Sequence, residues 1–281
     1  MIIFGKYFWL LVLLIQLPGL SIAQEDLAKQ SQNPIGTVIS LPFENNLYTD
    51  IGPSEAFAYS LNMKPVYPVS LGEWNLINRV ILPVIYSQGQ DVDVPPGIEI
   101  DAGYSGSIEI AKGSAFGLGD TTYQAFFSPA KSSKWVLGIG PAFVLPTATE
   151  DRYASNKWSI GVSAIALTMP GKWVVGALVQ NVWSVTGDSN ANDVNSFLFQ
   201  YFINYNLSNG WYLSTTPVIT ANWEADSSNR WTFPIGGGVG KLVKHGKQPV
   251  DYKLTAYYNA EKPQFGPDWN IQFQIKLLFP K

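Results

Sequence analysis

The last strand-like stretch of the chain reads Trp269-Asn270-Ile271-Gln272-Phe273-Gln274-Ile275-Lys276-Leu277-Leu278-Phe279. Trp269, Ile271, Phe273, Ile275, Leu277 and Phe279 share one face, and Asn270, Gln272, Gln274 and Lys276 share the other. A period of two is the signature of a strand whose faces meet different surroundings. A tilted strand of ~9–11 residues crosses a bilayer, with lipid on its apolar side and a polar lumen on the other. Residues 194–207 repeat the pattern, with Phe197, Phe199, Tyr201, Ile203, Tyr205 and Leu207 opposed to Ser196, Gln200, Asn204 and Asn206. In 250–261, Tyr252, Leu254 and Tyr258 oppose Asp251, Lys253, Thr255 and Asn259.

Composition points the same way. Charged residues make up 14% of the 281, against roughly 25% in an ordinary soluble domain. Aromatics make up another 14%, and hydrophobic residues 46%, which excludes disorder. With 18 Lys+Arg against 21 Asp+Glu, nothing neutralises phosphates in number, so nucleic acid is excluded as a partner. There is no Cys, which excludes a disulfide scaffold and a thiolate metal site. Too few charges and too many Trp and Tyr leave a water-facing surface undersupplied, so lipid is expected on part of the outside.

The beginning of the chain reads as an address. Lys6 precedes an apolar run from Tyr7 to Leu20, and Ser21-Ile22-Ala23 supplies the small residues before a cleavage point. Residues 1–23 are therefore expected to be a secretory signal peptide cut near Ala23; Pro18-Gly19 argues against a retained anchor. Beyond it no apolar run is long enough for a membrane-spanning helix. An exported, apolar, helix-free chain has the composition of a transmembrane β-barrel.

Twelve segments alternate or nearly so: 37–48, 55–67, 74–87, 118–128, 134–146, 157–168, 172–185, 194–207, 211–224, 230–243, 250–261 and 269–279. Short links at 71–73, 130–134, 170–171, 208–210 and 245–249 alternate with longer ones at 49–54, 88–117, 147–156, 186–193, 225–229 and 262–268. Barrels of the bacterial outer membrane have short periplasmic turns and longer outside loops, and an even count returns both termini to the periplasm. The expected fold is an all-β transmembrane antiparallel barrel of twelve strands over 37–281, after a short periplasmic stretch at 24–36. Trp74, Trp135, Trp173 and Trp211 follow short turns, and Trp158, Trp183, Trp223, Trp231 and Trp269 lie near the long-loop ends. These are two aromatic girdles at headgroup level; a soluble β-sandwich would not require aromatics at both ends of successive strands. Pro141, Pro217 and Pro234 fall inside proposed strands and read as bulges or early ends, which leaves ten and fourteen strands as the other counts.

Several stretches carry a family resemblance: 33–46 (NPIGTVISLPFENN), 73–85 (EWNLINRVILPVI), 118–130 (LGDTTYQAFFSPA), 138–149 (GIGPAFVLPTAT) and the long block 204–250. With them the chain resembles the outer-membrane transporter family associated with the meta-pathway of phenol degradation. The resemblance implies a barrel and passage of small hydrophobic or aromatic compounds. It supplies no set of binding residues. Outer-membrane proteins typically finish on an aromatic that the barrel-assembly machinery reads; here Phe279 is followed by Pro280 and Lys281.

No constellation reads as an enzyme, a metal centre or a cofactor site. His245 is the one histidine, in the turn Lys244-His245-Gly246-Lys247, with no serine two residues away to make a nucleophile–base pair. Gly236-Gly237-Gly238-Val239-Gly240 lacks the Gly-Lys-Ser/Thr ending of a phosphate loop and reads as close backbone packing. Residues 188–192 match the first ligands of a calcium loop but lack its glycine and its closing glutamate. Acidic loop residues (Asp91, Asp93, Glu99, Asp101, Glu150, Asp151, Asp188, Asp193, Glu224, Asp226) either share divalent cations with lipopolysaccharide or are ordinary solvated loops. In 88–117, Ile98, Ile100, Ile108 and Ile110 alternate as in a hairpin, which either constricts the lumen or stands outside. Parity sends Lys64, Arg79, Gln124, Gln200, Asn204, Asn206, Lys253, Gln272, Gln274 and Lys276 inward, as a pore lining that favours anions or as a network bonded across a narrow barrel. The expected function is passive transport of a small solute; the alternative is a non-conducting structural or surface-interaction barrel. Expected partners are outer-membrane lipid, lipopolysaccharide, the assembly machinery and the solute.

Overall fold

A strand in lipid has no water to satisfy its N–H and C=O groups, so every one must find a neighbour. The computed structural model describes residues 22–90, 99–101, 107–109, 111–131 and 134–280. It opens with a helix, α1 (Ile22–Ser31), and continues in strands: β1 (Ile39–Ile51), β2 (Ala56–Met63), β3 (Val66–Leu71), β4 (Trp74–Ser87), β5 (Glu99–Asp101), β6 (Ser107–Glu109), β7 (Ala115–Leu118), β8 (Thr121–Pro129), β9 (Trp135–Leu145), β10 (Lys157–Thr168), β11 (Trp173–Gly187), β12 (Asn195–Asn206), β13 (Trp211–Thr215), β14 (Val218–Asn222), β15 (Trp231–His245), β16 (Gln248–Glu261) and β17 (Trp269–Phe279). All but β5 and β6 join one antiparallel sheet, in which β1 pairs with β17 and β11 with β12, so the sheet closes on itself. Taken with their continuations (β2 with β3, β7 with β8, β13 with β14), the strands make twelve staves.

The prolines account for where staves differ from unbroken strands. Pro65 stands in the gap between β2 and β3, and Pro217 in the gap between β13 and β14. Neither has an N–H to donate to a ladder. Pro234 sits at a register shift in the β15–β16 ladder. Opposite Gly140 and Pro141 the β8–β9 register skips from Gln124↔Ala142 to Phe127↔Ile139. The fourth stave starts earlier than the sequence pattern suggests, because β7 pairs with β4 ahead of the break at Gly119-Asp120.

Outside and inside follow from parity. Along β17, Trp269, Ile271, Phe273 and Phe279 are exposed while Gln272 and Gln274 are buried. The same alternation exposes Ile160 and Val162 on β10 and Val239 and Ile235 on β15. An exposed apolar surface running round every stave far exceeds what water tolerates; it is a lipid face. Trp74, Trp135, Trp173 and Trp211 are exposed at one rim, and Trp158, Trp183, Trp231 and Trp269 at the other. Trp223 is half-buried, with its indole N–H donated to Asn181 Oδ1 at 2.9 Å and its ring edge-on to Trp231. At the short-turn rim the chain reverses tightly; Gly171, at φ +55°, takes the left-handed conformation that a side chain would resist.

Both mouths are covered. At the short-turn end Ala28 of α1 packs on Leu242 and Leu278, and Ile35 reaches a buried cluster with Phe126, Ile165 and Leu178. The stretch 26–36 therefore sits in the barrel mouth. At the long-loop end Ile108 of the β5–β6 hairpin packs with Tyr48, Ile51, Ile85 and Tyr153. Asp120 fastens this cap by accepting from Ser155 N (2.9 Å), Ser155 Oγ (2.5 Å) and Ala148 N (3.1 Å). Gln90 bridges the 51–54 turn, accepting from Ser54 N at 3.1 Å and donating to Ile51 O at 3.1 Å. The expected signal segment lies outside the described residues as far as residue 21, as do Asp91, Asp93, Ile98 and Ile110.

Two outcomes follow. The folded chain should migrate differently from boiled chain on an SDS gel; identical migration, with solubility in the absence of detergent, would contradict a barrel. Phe273→Arg, on the lipid face, should cost about 2–4 kcal/mol in urea unfolding from vesicles. At the outer cap, the Tyr153 hydroxyl contacts Ser87 Oγ at 2.8 Å and donates to Ala115 O at 2.9 Å. Burial raises its pKa, with Ser87 opposing. A raised pKa favours the neutral phenol in the folded state, so this contribution is present below the free value and is lost as pH rises through the raised one. Tyr153→Phe should loosen the cap by about 1–2 kcal/mol at neutral pH and flatten its alkaline loss, read by protease cleavage in 88–117.

Candidate functional site

The inward rows of the staves converge on two cavities inside the barrel. The larger, about 100 Å³, is lined among others by Glu44, Lys64, Arg79, Gln200, Asn204, Tyr212, Asp251, Lys253, Gln274 and Lys276, with Val66 and Phe202 as apolar walls. The smaller, about 50 Å³, is lined by Asn46, Asn62, Tyr257, Asn259 and Gln272 among others. Glu44 and Thr216 border both, so the two lie end to end along the lumen. On the other side of the interior an apolar cluster of Ile77, Ile81, Phe126, Leu178, Leu198 and Phe202 fills the space.

Most polar groups here are tied to one another. Lys64 is ion-paired with Glu44, both deeply buried. Tyr212 donates to Asp251 Oδ1 at 2.8 Å, and Ser31 Oγ approaches Asp251 Oδ2 at 3.4 Å. Lys276 Nζ donates to Ser31 O at 2.8 Å, binding the end of α1 to the wall. Lys253 Nζ donates to Thr216 Oγ1 at 3.1 Å, and Gln200 Nε2 to Thr216 O at 3.0 Å. Pro217 opens the stave beside Thr216 and frees these groups for side-chain partners. Gly240 makes the Tyr212–Asp251 contact possible: a Cβ there would lie 2.1 Å from the Tyr212 ring. Arg79 differs from the other charged groups. It is 6% exposed, its Nε and Nη1 have no hydrogen-bond partner among the described residues, and its guanidinium carbon is 6.0 Å from the Phe126 ring centre.

The residues assigned inward by parity are distributed as follows. Lys64, Arg79, Gln200, Asn204, Lys253, Gln274 and Lys276 line the larger cavity. Gln272 lines the smaller and donates to Asn46 Oδ1 at 3.0 Å. Gln124 is fully buried and donates to Gln180 Oε1 at 2.5 Å. Asn206 exchanges hydrogen bonds with Gln32 at 2.8 and 3.3 Å, at the covered mouth. Sequence reasoning did not single out Glu44, Asp251 or Tyr212. Glu44 shares parity with Asn46 and Tyr48, and Asp251 stands on the polar face of its segment, so the signal was there for both. His245 is exposed and sits 3.1 Å from the Tyr252 hydroxyl. At 188–192 Asp188 Oδ1 accepts from Asn190 N at 2.9 Å, closing a local turn. Among the described residues no three acidic or histidine side chains converge as a metal site would require.

The Glu44–Lys64 pair makes a direct test of this interior. Glu44→Gln leaves the Lys64 charge without its carboxylate and should cost about 3 kcal/mol. Glu44→Gln combined with Lys64→Met should recover most of that, measured by urea unfolding in lipid vesicles.

Comparison with known proteins agrees with this architecture. An outer membrane channel from Pseudomonas putida F1 superposes with a TM-score of 0.63 at 16% identity, covering 88% of this chain and 97% of that one. A CymD monoaromatic hydrocarbon channel gives a TM-score of 0.42 at 10% identity, covering 92% and 90%, and a FadL homologue from Pseudomonas aeruginosa gives 0.41 at 7%, covering 86% and 89%. At these identities the first likeness establishes the fold alone, and the other two are too distant to add to it. No curated protein matches the chain in sequence. The family described as "Putative MetA-pathway of phenol degradation" matches residues 56–276, well over half the chain, and the chain belongs to that family.

Proposed function

We propose that this chain is an exported barrel of the bacterial outer membrane that passes small hydrophobic or aromatic solutes passively. The observation that carries the reading is the divided lumen. An apolar cluster built on Ile77, Phe126 and Leu198 borders a polar cavity, and both lie within a wall whose outer face is apolar. An apolar wall beside a polar cavity suits solutes with an apolar body. Membership of a family linked with phenol degradation supports an aromatic solute.

The remaining assignments belong to the same proposal. Residues 1–23 are removed as a signal peptide near Ala23. The short turns and both termini face the periplasm, and the two Trp rims lie at the headgroups. Lipopolysaccharide meets the long-loop end, and the assembly machinery reads the β17 end near Phe279. No catalytic role is assigned. Passage through the lumen requires residues 26–36 to leave the short-turn mouth and the cap around Ile108 to open at the other, since both mouths are covered. A non-conducting barrel is the second reading, and it is favoured by the cover on both mouths.

Uptake of labelled naphthalene by Gram-negative cells with intact lipopolysaccharide separates the two. Cells carrying the chain should take it up several times faster than cells carrying the empty vector. Equal rates, from cells that display the heat-shifted band, would favour the non-conducting barrel.

A further inference from the structure

We propose that the larger cavity is a binding site for the carboxylate of a small organic acid, with Arg79 as the group that grips it. Four cationic side chains border the cavity (Lys64, Arg79, Lys253 and Lys276) against two anionic ones (Glu44 and Asp251). Both carboxylates are engaged elsewhere, Glu44 by Lys64 and Asp251 by Tyr212 and Ser31. Lys253 and Lys276 also have acceptors, in Thr216 and Ser31. Arg79 has none at Nε or Nη1 among the described residues, although it is buried. A buried charge without a partner is costly, and a cavity at its side is where a partner would enter.

The chemistry of the partner follows from the surroundings. A guanidinium presents a planar fork of donors that matches a carboxylate bidentately, which a point charge does not. Arg79 projects from β4 between Ile77 and Ile81, which share its inward face and are fully buried in the apolar cluster. Phe126 lies against the guanidinium, and Phe202 belongs to both the cluster and the cavity wall. Polar and apolar partners thus stand side by side, as a carboxylate on an aromatic or aliphatic body requires. Asn204 Oδ1 and Ser214 Oγ, also on this cavity, are buried without partners among the described residues; the Ser214 hydroxyl can add a donor to the same anion. The inference deepens the solute reading of this lumen and rests on it for the direction of travel, but binding can be measured without transport.

The test is calorimetry on the full chain in neutral detergent, with benzoate, benzyl alcohol and inorganic phosphate as the three probes. Benzoate should bind, benzyl alcohol should bind more weakly, and Arg79→Gln should weaken benzoate by about tenfold or more while leaving the alcohol unchanged. Arg79→Lys should restore only part of the loss, because it keeps the charge and loses the fork. Equal benzoate binding by wild type and Arg79→Gln would overturn the proposal. Phosphate binding as tightly as benzoate would also overturn it, making the site one for inorganic anions. If Arg79→Gln lacks the heat-shifted band, the wild-type comparison decides, and equal affinity for benzoate and benzyl alcohol would overturn the proposal. Benzoate binding without naphthalene uptake would leave this site standing and contradict transport; uptake without benzoate binding would do the reverse.

Discussion

Closure of the backbone ladder is the constraint on which everything else rests. In hydrocarbon an unpaired N–H or C=O costs several kcal/mol, so a sheet can have no free edge. Here the ends meet in a long ladder, from Ile39↔Phe279 to Thr49↔Trp269. Once the sheet is closed, alternation leaves only two destinations for side chains. Odd positions of β17 meet lipid, and even ones meet the interior. The low share of charged residues, the exposed aromatics and the polar lumen are three consequences of that one closure.

The interior must then solve a second problem, since inward residues are mostly polar and the lumen is narrow. The solution is cross-bonding. Lys64 with Glu44, Tyr212 with Asp251, and Gln124 with Gln180 each span the space between staves. The break at Thr216-Pro217 is part of it, because it leaves the Thr216 carbonyl to accept from the Gln200 side chain beside the cavity. The amino-terminal stretch enters the same network through Ser31 and Gln32. Arg79 stands out against this background because the other charged groups on the cavity are paired.

Period and punctuation made the staves legible in the sequence. Residues 269–279 and 194–207 alternate cleanly because lipid and lumen enforce it at every step, and their ladders run without a shift. Prolines flagged the irregular places, at Pro217, Pro234 and Pro141, but not the form each would take. A stave broken at Pro217, a bulge at Pro234 and a skipped pairing at Pro141 depend on the neighbouring strand, which a linear pattern does not contain. The seat of residues 26–36 was equally hidden. Its contacts with Asp251, Asn206 and Lys276 join positions far apart in the chain, and nothing local announces them. Inward parity found Arg79 and Lys253, yet parity says nothing of which inward charges are paired.

The central claim is that solute passes through the lumen and past the mouth that residues 26–36 cover. The chain has no cysteine, so a pair introduced as Ile35→Cys and Gly138→Cys is the only one present, at positions where a Cβ on Gly138 would lie 2.8 Å from the Ile35 side chain. Naphthalene uptake by cells carrying the oxidised pair should fall to the empty-vector rate and return on reduction. Uptake unchanged by a disulfide verified on the gel would contradict passage past this mouth.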